Sequence, residues 1–165
     1  MTSPTRQGFI LTRHWRDTGH GTDVEFWLAT DEGPRRVVIT AQQSVAFAKA
    51  SQQADVEGVA RRVASVDVRP LPLKTFAQDP VLGLYTRSHR QMSLLEKRLR
   101  DRGIPLYEAD IRPPERYMME RFITAAVSVE GGVEEGDAIL DPKLRPVADY
   151  RPSLRVVSLD IETSA

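Results

Sequence analysis

The chain has 165 residues, and its 23 Lys+Arg balance 23 Asp+Glu, so zero net charge excludes attachment to nucleic acid by bulk positive charge and leaves only a local basic face. The absence of cysteine excludes disulfides, thiolate metal sites and a cysteine nucleophile, and the 41% hydrophobic, 28% charged composition is that of an ordinary folded domain. There is no run of 18 apolar residues to cross a membrane as a helix and no apolar secretory stretch near Met1, and His14, His20 and His89 are too scattered to make a metal-ligand pair.

In chain order, residues 1–7 read as a polar tail. Residues 8–15 (GFILTRHW), 24–29 and 36–40 read as three strands, separated by the turns DTGHGT and DEGP, which predicts an antiparallel meander. Residues 45–47 suit a fourth strand better than a helical turn, and 51–62 a loop or weak helix. Alternation predicts strands at 63–68 and 81–86, with the proline-bearing 70–80 between them as a connection.

Residues 88–102 carry the clearest helix signal. Ser88 and Gln91 form a capping box, Met92, Leu95 and Leu99 make one apolar stripe, and Gly103 suits the C-terminal cap. A strand at 104–108 would complete a split βαβ layer. Pro113-Pro114 then predicts a helix start, with Tyr117, Met118 and Phe122 facing inward. Residues 125–129 read as a strand, 130–153 as an acidic, proline-bearing linker, and 154–161 (LRVVSLDI) as a final strand. The expected fold is α+β: an antiparallel β meander or partial barrel followed by a split βαβ layer.

Three constellations could carry chemistry. Asp160 and Glu162 close the last strand on one face, with backbones about 6–7 Å apart. Such a pair suits divalent cations, provided other segments supply more oxygen ligands; a solvated strand end is the bland alternative. Residues 87–102 hold six Lys/Arg against two acids, a local net of +4, while 130–141 hold five acids and no base. Arg87, Arg90, Lys97 and Arg98 are therefore candidate phosphate contacts, against the alternative of a merely solvated helix face. Trp15 and Trp27, beside Arg13 and Arg16, could stack unpaired bases; the alternative expectation is a core with one tryptophan inside.

Two further segments bring a resemblance. Tyr107-Glu-Ala-Asp-Ile-Arg-Pro-Pro-Glu-Arg-Tyr-Met-Met-Glu-Arg-Phe122 resembles the YE-x-D-I…RY pattern that precedes the exonuclease domain of family B DNA polymerases. Val156-Val-Ser-Leu-Asp-Ile-Glu-Thr163 resembles that family's first exonuclease motif. Gly8–Asp17, Phe26–Asp31, Val81–Tyr85, His89-Arg-Gln and Glu96-Lys-Arg-Leu-Arg100 are similar to the start of its bacterial members.

The resemblance implies that 1–150 is the family's N-terminal domain and that 151–165 opens an incomplete ribonuclease-H-like 3′–5′ exonuclease domain. Asp160 and Glu162 then match exonuclease metal ligands, a partial set serving Mg²⁺ or Mn²⁺ in the full-length enzyme, with no complete active site and no cofactor expected in this chain. The implied role is a template-side scaffold in DNA replication and repair. Implied partners are single-stranded template DNA and the exonuclease and polymerase domains of the same polypeptide. A sliding clamp would be reached only through an absent C-terminal region. The implied setting is cytoplasmic and nucleoid-associated, without a membrane partner. The rival readings are a free-standing β-protein that binds single-stranded nucleic acid, a small metal-dependent nuclease, and a structural adaptor.

Overall fold

The computed structural model describes residues 6–160. β1 (Arg6–Asp17), β2 (Thr22–Thr30) and β3 (Gly33–Gln42) form the expected antiparallel meander. Strict alternation in β2 sends Val24, Phe26 and Leu28 into the core and Asp23, Glu25 and Trp27 to the opposite face. β1 is less regular. Ile10 pairs with Leu28 and Thr12 with Trp27, so Leu11 is an extra residue at a bulge and is exposed. Beyond the bulge Arg13 pairs with Phe26 and Trp15 with Val24, which puts Arg13 and Trp15 on the core-facing side.

β4 (Ser44–Lys49) is a strand. A 3₁₀ turn (Ala50–Gln52) and α1 (Gln53–Ala60) follow where a loop or weak helix was expected. β5 (Val66–Lys74) continues through Pro70 and Pro72, with its pairing to the next strand irregular between Pro70 and Lys74, so the first half of the expected connection at 70–80 is strand. The prolines are tolerated because β5 is an edge: the sheet order is β4, then β6 (Pro80–Thr86), then β5. α2 (His89–Arg100) starts at the Ser88–Gln91 capping box. It ends in a Schellman turn, with the Ile104 amide donating to the Leu99 carbonyl at 3.0 Å and Gly103 at φ +73°. Met92, Leu95 and Leu99 pack with Val56, Leu82 and Leu84 as a core separate from that of the meander.

The strand expected at 104–108 is reduced to one antiparallel bridge, Tyr107 to Phe47, so the second layer is a wholly antiparallel sheet covered by α1 and α2. α3 (Pro113–Met119) lies over the meander and places Tyr117 and Met118 in its core beside Phe26. Phe122 faces solvent rather than inward. It sits past the helix end at φ +54°, in a turn that reverses its direction.

β7 (Ala126–Glu130) pairs with the N-terminal half of β1. The supposed linker then forms three short strands, β8 (Val133–Glu135), β9 (Ala138–Leu140) and β10 (Lys143–Pro146). They complete a seven-stranded mixed sheet, in the order β10-β7-β1-β2-β3-β9-β8, that forms a half-barrel. Its acids are used locally: Glu134 meets Arg6, Asp137 meets Arg36 and Glu130 meets Arg145. Asp141 accepts from the amide and hydroxyl of Thr40. Residues 151–160 have no regular structure and are almost wholly exposed, so the strand expected from 154 is not formed over its described part. No helix among the described residues is long and apolar enough to cross a membrane.

Candidate nucleic-acid interface

The candidate surface is built around α2. Its inward stripe is fixed by Met92, Leu95 and Leu99, so helical periodicity turns Arg90 and Lys97, seven residues apart, onto one outward face. Arg87 is exposed just before the N-cap. Arg98 is brought to a different flank, where its guanidinium donates to the Arg62 carbonyl at 2.6 Å. Among the described residues none of the four is ion-paired, whereas Arg100 is held by Glu96 at 3.0 Å. The acidic stretch is thus largely spent on arginines of the half-barrel, while Arg87, Arg90 and Lys97 have no ion-pair partner among the described residues.

The N-terminus of α2 is pinned to the half-barrel by Asp17, which no sequence pattern marked. Its carboxylate accepts from the His89 amide at 3.0 Å, the Arg90 amide at 2.9 Å and the Thr22 hydroxyl at 2.7 Å. Partial burial pushes the Asp17 carboxyl up. The Thr22 hydroxyl, the Arg90 and His89 amides and the His89 ring together outweigh this and hold it below the ordinary carboxylate value.

Trp15 stands beside this junction. Its ring meets His89 nearly perpendicularly, with centroids 5.8 Å apart, and the Arg112 guanidinium lies 5.8 Å from its centre. Neither tryptophan is in the core: Trp15 is exposed, and Trp27 is half-buried, donating to Glu25 at 3.1 Å. The expectation of an interior tryptophan is corrected: Trp27 alternates onto the outer face of β2, and Trp15, past the β1 bulge, stays exposed although it pairs with the buried Val24.

A groove of about 620 Å³ opens on the far side of the Phe47–Tyr107 bridge, between the β5–β6 turn and α3. Lys49 and Asp79 pair in it at 2.7 Å; this pairing raises the lysine and lowers the aspartate.

Asp160 is exposed and irregular, and Glu162 lies outside the described residues. Among the described residues no cluster of three or more His, Asp or Glu could hold a metal ion. Asp160 supplies the right kind of oxygen donor for Mg²⁺, but the further ligands such a site needs are not assembled around it.

A family model described as DNA polymerase II, N-terminal, matches residues 8–43. One described as DNA polymerase II, insertion domain, continues over residues 44–104. Over 157 residues the chain is 54% identical to DNA polymerase II of Escherichia coli (strain K12), covering 95% of this chain and 20% of that protein. The chain belongs to the DNA polymerase II family. It corresponds to that family's N-terminal and insertion domains and spans about a fifth of the relative's length. A solved family B DNA polymerase from the hyperthermophilic archaeon Pyrobaculum calidifontis matches 89% of this chain and 21% of its own at a TM-score of 0.72 and 21% identity, which shows a shared fold. The boundary between the two matched regions falls between β3 and β4, where the backbone leaves the half-barrel for the smaller sheet.

Proposed function

We propose that this chain is the template-side scaffolding and single-stranded nucleic-acid-binding part of a DNA-directed DNA polymerase with 3′–5′ proofreading, acting in replication and repair. The observation that carries this reading is the 54% identity to a DNA polymerase II over nearly the whole chain. The unpaired Arg87, Arg90 and Lys97 support a phosphate track along the exposed side of α2, with Arg98 at its flank. Each such contact releases counterions and adds salt-dependent affinity.

The remaining partners follow from the same reading. The exonuclease and polymerase domains of the full polypeptide pack against this region, and a sliding clamp is reached through a distant C-terminal segment. The setting is the bacterial cytoplasm at the nucleoid. Asp160 and Glu162 would serve as exonuclease ligands for Mg²⁺ or Mn²⁺ once other segments complete the set. The metal then supplies water activation and leaving-group stabilisation. In the full-length polymerase Asp160→Ala should suppress 3′–5′ degradation of a labelled primer and spare primer extension. Unchanged proofreading in that variant would remove Asp160 from the exonuclease site.

A further inference from the structure

We propose that Trp15 is a stacking platform for an unpaired DNA base at the junction of the half-barrel and α2. The proposal rests on the single-strand-binding reading above and adds a base contact to its phosphate contacts.

After the β1 bulge at Leu11, Trp15 lies on the core-facing side opposite Val24, yet its large aromatic ring remains 36% exposed beside the first residue of α2. The accessible part of this ring, flanked by the edge-on His89 and by the Arg112 guanidinium, can receive a flat partner. Its neighbours are chemically suited to a nucleotide. His89 stands edge-on to the ring, with centroids 5.8 Å apart, and flanks the indole at the start of α2. Arg112 reaches toward the same ring from the segment before α3 and has no acidic partner among the described residues. Arg90 follows His89 directly and faces solvent. The junction therefore joins a partly exposed indole, an edge-on imidazole and a guanidinium that has no acidic partner among the described residues. That combination binds single strands with little base preference, because every base offers a π-face and every nucleotide a phosphate. The Asp17 contacts to the His89 and Arg90 amides fix the geometry by locking α2 to the strand that bears Trp15.

The test is fluorescence anisotropy on the 165-residue chain with two labelled 20-mers, oligo(dT) and an all-abasic strand of equal length and charge. The expected result is a preference for oligo(dT) of roughly 5- to 150-fold, the range for one stacked base. Trp15→Ala should bring oligo(dT) to the abasic level, and Trp15→Phe should recover most of the preference. Should the alanine variant fold poorly, the Trp27→Phe protein retains Trp15 as its sole tryptophan, whose emission should be quenched by oligo(dT) and unchanged by the abasic strand. Equal affinity for the two strands, or a full base preference in Trp15→Ala, overturns the platform while leaving the phosphate track intact. Absence of binding to either strand at low salt overturns both.

Discussion

At the residue scale the junction depends on Asp17. One carboxylate satisfies two amides at the start of α2 and a hydroxyl at the start of β2, binding elements 72 and 73 residues apart in sequence. Asp17→Ala should destabilise the protein by about 1 kcal/mol at pH 7, in the range of a lost helix cap on an accessible group. Because folding lowers the Asp17 pKa, its contribution is fully present above the unfolded value of about 3.9. It is lost as pH falls through the depressed folded value. Urea unfolding of both proteins should therefore show a gap at pH 7 that shrinks below about pH 4; a gap independent of pH would show that the carboxylate charge is not what matters. Ser88, Gln91 and Gly103 were legible in the sequence because each acts within its own turn of helix. Asp17 and Trp15 were not: their roles arise from the bulge at Leu11 and from the approach of a distant helix, neither of which has a local signature.

At the element scale, strong periodicity was readable and context-dependent segments were not. The β1–β3 meander and α2 follow from alternation, a stripe and a capping box. β5 escaped because proline normally ends a strand, and only its edge position in the folded sheet permits Pro70 and Pro72. β8, β9 and β10 escaped because they are three or four residues long, β8 is acidic and β10 ends in proline, and they gain their register from distant strands such as β3 and β7. Of the candidate phosphate contacts, the basic run was visible, but the helix axis splits it: Arg90 and Lys97 share a face and Arg98 leaves it. The capping box itself is testable. Ser88→Ala should cost about 1 kcal/mol in urea unfolding. Unaltered stability would mean that Asp17 alone sets the start of α2.

At the scale of the whole molecule, the neutral total charge conceals a division of labour. Acids of the half-barrel are paired with its arginines, while α2 keeps exposed cations on the neighbouring layer. The C-terminal segment is the other unbalanced feature. Leu154, Val156, Val157 and Leu159 are exposed, and each forfeits about 1.5–3 kcal/mol relative to full burial. Pairing with a strand edge of another copy would cover apolar surface and satisfy backbone groups together. Light scattering should therefore give the 165-residue chain a mass that rises with concentration, and a chain ending at Tyr150 a constant monomeric mass. Identical monomeric masses would show that the segment drives no association.

The central claim, that an otherwise neutral chain of the DNA polymerase II family carries a local phosphate track on α2, is tested most directly by titrating single-stranded DNA at a series of salt concentrations. With two to four phosphate contacts, log K should fall against log[salt] with a slope of roughly −1.5 to −3. The combined Arg90→Ala, Lys97→Ala substitution should bring that slope toward zero. Affinity that does not change with salt, or a slope that the double substitution leaves intact, would contradict the claim.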